Sequence, residues 1–459
     1  MNVSLWEPRI KTKIILQTAI LSRTRSPKKE HMKLEIRTLT LMLCAALMLT
    51  TACKKTPIPA EDPEPSVVDF CASSQATWVK TETSTTPQTQ SFPYDNFGVW
   101  GIARQGSNIY HLWNNASLTD VNINEETGFY EPTTVAYWLS GYIYNFIAVA
   151  QCHDEGFSFI GVTTKEEQVS STPAVQNPVD YVTFTYDMSH KYSASNYVFD
   201  LLGAAIENRS VTGGRTEPQN MIFWHLFSQV NIGVSFTTGL NGEQVKGKLT
   251  KIKLKNICTE ATSKLYYVNN SPSLYAEWIC AEDANTMECE YTVSQDVTLT
   301  IKANQADAVV TLTAGESTVT GENGEASITV PRGTNVAYTI EGNVGAESKK
   351  VQETLYVHRS FKKIVSLETN QSQIEAVPDW SLNVIPQDAT KMKLFLDFEI
   401  DGQVYNDFEV RLNFPTSANP QVFNHKYNWN ISIGTGAAIK FEVVDVVDWK
   451  DGEDGEISM

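Results

Sequence analysis

The sequence predicts an all-β protein, and three observations carry that prediction. Apolar residues recur at every second position in short runs: Tyr427, Trp429, Ile431 and Ile433 fall on one face of a strand, with Asn428, Asn430 and Ser432 on the other. Comparable runs at 182–186, 230–236, 248–254, 297–301, 326–330, 351–357 and 393–400 are separated by Gly, Asn, Asp and Pro, the residues that terminate strands and build turns. No long, capped amphipathic pattern competes with them; the best helical candidate is the short stretch from Tyr197 to Glu207. A chain of 459 residues that is 42% apolar has enough material for two or three domains of ~100–200 residues.

The N-terminus sets the compartment. Residues 1–31 are basic and patternless and read as a mis-assigned upstream extension before a start at Met32. Lys33 and Arg37, the apolar run 39–49 and Ala52-Cys53 then form a signal peptide over 32–52. The apolar run is too short for a permanent bilayer span, which needs ~20 residues. Ala52-Cys53 resembles the lipobox of bacterial lipoproteins, with Leu49 one place earlier than usual. That resemblance implies cleavage after Ala52 and acylation of Cys53; the other reading is an ordinary signal peptide with an incidental cysteine. Residues 53–65 hold four prolines, which suits an extended tether.

Residues 1–52 carry nine Lys and Arg against three Asp and Glu, so removing them takes the net charge from −17 to −23. An acidic surface of that size repels phosphate backbones and argues against nucleic acid as a partner. Five cysteines remain in the mature chain, Cys71, Cys152, Cys258, Cys280 and Cys289. None forms a C-x-x-C pair, and an odd number cannot all pair within the chain. One or two disulfides, or none, are compatible with the spacing.

The polar stretch 207–218, with Gly213-Gly214, marks a boundary between an N-terminal domain at 66–215 and a C-terminal domain at 216–459. Within the second, 296–367 changes to short Val/Thr strands with small turns. Gly324-Glu325-Ala326-Ser327-Ile328-Thr329-Val330-Pro331-Arg332-Gly333 resembles the small PEGA-type or carboxypeptidase-regulatory-like β-sandwich. Two readings stay open: a small inserted sandwich, or an extension of the host sheet. The runs 427–433 and 439–443 flank Gly434-Thr435-Gly436 and predict a closing hairpin.

No catalytic motif is present: neither H-E-x-x-H, G-x-S-x-G nor a phosphate-binding glycine loop. The histidines never cluster at ligand spacing, and His225, alternating with apolar neighbours, reads as a buried strand histidine. The acidic tail 448–456 lacks EF-hand spacing. No cofactor, metal or enzymatic role is expected. Trp100, Tyr110, Trp113, Tyr130, Tyr137 and Trp138 crowd the first domain. Exposed rings among them, with Trp100, Trp113, Tyr137 and Trp138 foremost, would suit a glycan or protein ligand; core packing is the competing account.

Three places carry a family resemblance. They are Asp95-Asn96-Phe97-Gly98-Val99-Trp100-Gly101 with the later strand 144–150; Asp200-Leu201-Leu202-Gly203-Ala204 with Phe223-Trp224-His225-Leu226-Phe227-Ser228-Gln229-Val230; and 427–433 with 441–449. In this order, behind a lipoprotein leader, they resemble the fimbrillin-like proteins, the type V pilin group. The resemblance implies two tandem transthyretin-like β-sandwich domains and an outer-membrane, lipid-anchored subunit of a fimbrium whose partners are other subunits or surface ligands. It also implies assembly by strand donation: a first strand, here Val67, Val68, Phe70 and Ala72, is released by a cut after Lys80. The terminal strand of another subunit, here Ile439, Phe441 and Val443, then replaces it. The family's usual arginine is absent at the cut. The alternative reading is a stand-alone surface lipoprotein that binds a glycan or host protein.

Overall fold

The structure, a computed structural model, describes residues 66–77, 88–169, 177–210, 217–236, 247–270, 273–280, 286–416, 420–434 and 439–448. Every alternating run singled out above lies within a strand.

The N-terminal half supplies β1 (Phe70–Thr77), β2 (Gln88–Ser91), β3 (Asn96–Gln105), β4 (Asn108–His111), β5 (Thr119–Ile123), β6 (Tyr130–Pro132), β7 (Ile143–Ala150), β8 (Phe157–Thr163), β9 (Tyr181–Asp187), β10 (Leu202–Ser210) and β11 (Gln219–His225). Short helices α1 (Lys165–Val169) and α2 (Ser189–Ser193) flank β9. One sheet runs β11-β10-β7-β3-β5-β6-β1-β2, with β4 on β3, and a parallel β1–β11 pairing closes it on itself. The expected helix at 197–207 is absent, because Leu202 to Ile206 pair in register with Ala150 to Phe146 of β7. Tertiary pairing overrides a local helical preference of that size.

Strands β3 and β7 are buried on both faces, which is why their sequences are continuously apolar instead of alternating. Successive side chains enter different cores. Phe97, Val99, Ala103, Tyr144, Phe146, Ala148 and Ala150 join one cluster inside the closed sheet. Trp100, Ile102, Ile147 and Val149 join a second cluster on its other side. Gly101 lets Trp113 lie against the inner face, since a Cβ there would stand 2.7 Å from the indole ring.

The second core is completed by β12 (Ser228–Phe236), β13 (Gly247–Cys258), β14 (Glu260–Tyr267), β15 (Leu274–Cys280) and β16 (Thr286–Thr292). The chain then builds β17 (Asp296–Ala303), β18 (Val309–Ala314), β19 (Ser317–Gly321), β20 (Glu325–Pro331), β21 (Thr334–Val344), β22 (Glu347–Val357), β23 (Phe361–Val365) and β24 (Ser372–Ala376). It returns to the second core with β25 (Trp380–Val384), β26 (Lys393–Ile400), β27 (Gln403–Val410), β28 (His425–Ile433) and β29 (Ile439–Asp448). Asp401-Gly402, both at positive φ, make the two-residue hairpin between β26 and β27.

Three four-stranded sheets surround the second core: β15-β14-β9-β8, β16-β13-β26-β27 and β25-β12-β28-β29. Backbone pairings therefore cross the expected boundary at residue 215. Strands β8 and β9 precede it yet share a sheet with β14 and β15, and β10 pairs with β11 across it. Between Val297 and Leu367, the sheets β20-β17-β23-β24 and β19-β18-β21-β22 enclose a third hydrophobic cluster of their own. A buried ion pair fastens this unit to its neighbour. Arg332 donates to the Asp379 carboxylate at 2.9 Å, and Asp379 accepts the Val234 amide at 2.8 Å. Burial and the charge of Arg359 push the nearby His358 imidazole down to about 4.

Candidate functional site

The segment 66–77 is gripped along its length. The Val68 amide donates to Ala136, and the Trp138 amide to Ser66. Val67 forms a single bridge with Tyr137. Farther on, Phe70 to Ser74 pair in parallel with Gln219 to Phe223 of β11, while β6 and β2 take the opposite edge. Alternation gives the strand its inward face: Val68 and Phe70 are fully buried and Ala72 packs beside them. The Phe70 ring meets Phe97 and Phe146 edge-on, with centroids 6.0 and 5.3 Å apart. Strand β1 is thus the piece that completes the closed sheet, and the backbone groups of β11 at 219–223 face it.

Strand β29 stands at the end of its sheet order, paired with β28. Ile439 and Phe441 lean on the second core, where the Phe441 ring contacts Trp429 at 5.8 Å and Phe414 at 5.4 Å. Val443 stands opposite Trp429 in the backbone register. Ala52, Cys53 and Lys80 lie outside the described residues.

The aromatic residues do not form a surface patch. Trp100, Trp113 and Trp138 are 2, 8 and 1% exposed, so no ring face is open to a ligand. They also belong to different cores, Trp100 to the second and Trp113 and Trp138 to the first. Tyr137 remains 47% exposed, and Tyr110, also exposed, leans edge-on against Tyr142. Adjacent sequence numbers pointed to one patch because they cannot say which side of a two-faced sheet each ring enters.

Perturbed charges fall into structural networks. Arg104 on β3 grips Asp180 and Glu166 together, its closest contacts to each at 2.5 and 2.8 Å. Burial alone would raise the Asp180 pKa; hydrogen bonds from Arg104, Lys165 and Asn145 outweigh it and hold the carboxyl below its ordinary value. Glu166 is likewise lowered by its hydrogen bond from Arg104. His225 is buried on β11 with Nδ1 against the Asp200 carboxylate. Among the described residues no group of His, Cys, Asp and Glu is arranged to hold a metal ion, and no helix is long and apolar enough to cross a membrane. A disulfide joins Cys258 to Cys280, while Cys152 and Cys289 are free thiols, each pushed up to about 12 by burial.

Sequence reasoning overlooked β11 as the partner of the first strand. Its signal was legible as a continuous apolar run, Met221-Ile222-Phe223-Trp224, whose members divide between the two cores as those of β3 and β7 do.

Among solved structures, a fimbrial protein from Bacteroides vulgatus is 14% identical with a TM-score of 0.43, covering 83% of this chain and 99% of that one. A candidate cell-adhesion protein from Bacteroides uniformis is 13% identical with a TM-score of 0.34, covering 84% and 99%. No curated protein matches the sequence. The family model described as fimbrillin-like matches residues 83–346, more than half of the chain, and the protein belongs to that family.

Proposed function

We propose that this chain is a structural, non-enzymatic subunit of a surface fimbria, or a fimbria-associated adhesin, that assembles by β-strand donation. The observation that carries the reading is the placement of β1. It is the N-terminal strand of the described chain and closes the first sheet against β11 and β6. Its removal would leave a slot with an unpaired backbone edge on one wall and the first core as its floor. An incoming strand that presents apolar residues at two-residue spacing would fill that slot and satisfy that edge. Ile439, Phe441 and Val443 repeat the spacing of Val68, Phe70 and Ala72, and β29 is an edge strand near the C-terminus.

In this reading Lys80 is the processing point, and Cys53, acylated after cleavage at Ala52, holds the protein at the outer membrane. On the same reading the architecture is two transthyretin-like β-sandwich domains, the first extended to His225 by β11 and lending β8 and β9 to the second core, with 296–367 inserted in the second. Purified mature protein treated with trypsin is expected to be cut near Lys80 and then to form heat-resistant ladders. A labelled peptide of residues 439–449 should bind the cut protein and not the intact one. A protein that is cut yet stays monomeric and ignores the peptide would overturn strand donation. Separately, Cys53→Ser should move the protein to the soluble fraction, and its persistence in membranes would remove the lipid anchor from the reading.

A further inference from the structure

Burial of the tryptophans leaves Tyr110 and Tyr137 at the surface, and both stand among exposed aliphatic side chains at one end of the first sheet. The segment 135–139 alternates: Ala136 and Trp138 are buried, while Val135, Tyr137 and Leu139 face outward. The turn at Ser140-Gly141 carries the chain to Tyr142 and to Ile143 at the start of β7. There the Tyr142 ring meets that of Tyr110 on β4, with centroids 5.4 Å apart. Tyr110, Val135, Tyr137, Leu139 and Ile143 are each 44–54% exposed. A group of exposed apolar side chains on an acidic protein marks a contact surface.

We infer that this rim lies against the lipid bilayer and seats the uncut, anchored chain on the membrane surface. The inference rests on the proposed acylation of Cys53, and position, charge and composition select the bilayer as the occupant. The Trp138 amide donates to the Ser66 carbonyl and Val67 bridges Tyr137, so the rim flanks the point at which the chain enters the fold. The thirteen residues of 53–65 reach at most about 40 Å when extended, which confines that point to the neighbourhood of the bilayer.

Charge agrees with position. Neither 105–119 nor 132–152 contains an Asp, Glu, Lys or Arg, in a chain of net charge −17. Carboxylates are repelled by anionic headgroups, and an uncharged rim is not. Tyrosines mixed with Val, Leu and Ile also suit the interface, where the ring sits at the acyl boundary and the hydroxyl among headgroups. The rim is held in shape before it meets lipid: Trp138 packs on Tyr144 with centroids 4.6 Å apart, and the Leu139 amide donates to the Tyr144 hydroxyl at 2.5 Å.

The test supplies its own anchor and so does not depend on acylation. The chain from Lys54 onward, with an N-terminal hexahistidine tag, is held on phosphatidylcholine vesicles containing a little nickel-chelating lipid, and its release by imidazole is timed. A rim that adds a second contact slows release. Tyr137→Ser with Leu139→Ser is expected to speed release about tenfold, with melting unchanged because both side chains are exposed. Ser140→Trp, in the turn, should slow release, a gain that misfolding cannot imitate. On nickel resin without lipid, parent and variants should leave at one rate. The inference is overturned if the double variant and the parent leave vesicles together, or if their difference persists on resin. It is also overturned if the double variant instead abolishes a concentration-dependent dimer in sedimentation, which would assign the rim to a second copy. Failure of acylation shows only in the Cys53→Ser fractionation, so the two failures are told apart.

Discussion

Phe70→Ala tests two things together, the placement of the first strand in the core and the proposal that this strand leaves the core on assembly. The side chain is fully buried and holds two edge-on aromatic contacts, with Phe97 and Phe146. Truncating a buried phenylalanine costs about 3–5 kcal/mol through lost transfer energy and the cavity left behind. Each aromatic contact adds about 0.5–1.5 kcal/mol beyond area alone, which places this site toward the upper end. For a cooperative unit of this size that corresponds to a fall in melting temperature on the order of 10 °C. Scanning calorimetry on the uncut protein reads the first-core transition directly, and the same measurement on assembled ladders reads it in the state from which the proposed strand donation removes the strand. A large loss before assembly and none after is expected. An uncut protein that loses under about 1 kcal/mol, against that 3–5 expected, would refute the placement of Phe70 in the core. Equal losses in both states would refute displacement of the strand.

The remaining predictions concern what holds the cores together. Arg104→Met should remove an acid-sensitive component of stability. Asp180 and Glu166 have folded pKa values below their unfolded ones, so the parent's extra stability is present above about pH 4 and disappears as pH falls through the lowered values. Denaturation curves of the variant should lack that dependence, and identical pH profiles would count against the network. Arg332→Ala strands a buried carboxylate at Asp379 and is expected to cost about 3–5 kcal/mol, whereas Arg332→Met with Asp379→Leu should recover most of it; failure of the double variant to recover any would show that the pair does more than balance charge. Cys258→Ala with Cys280→Ala opens a link spanning 22 residues. It should cost about 3 kcal/mol by chain entropy, seen as a matching drop when the parent is reduced, and an unchanged parent melt in reductant would argue against the bond.

Much of the architecture was legible in the residues. Strands such as β9, β13 and β28 declare themselves because one face is buried and the other solvated, which writes a two-residue period into the chain. Where both faces are buried, as in β3 and β7, that period vanishes and only an apolar run remains. The stretch 197–207 misled because Leu201, Leu202, Ala204 and Ala205 suit a helix as well as a strand; partners at 146–150 decided for the strand. The tryptophans misled for a related reason. Composition said that rings were plentiful in the first domain, but burial at 2, 8 and 1% depends on strands far away in sequence.

By itself, the sequence determined a β-rich chain, its turn positions, its net acidic charge and the alternating faces of β1 and β29, because these depend on composition or on neighbours one or two residues apart. Only the tertiary structure decided that β1 closes a sheet against β11 and that β3 and β7 divide two cores. Those outcomes rest on pairings between residues tens to hundreds of positions apart. A local pattern states which side chains must be hidden and leaves open what hides them.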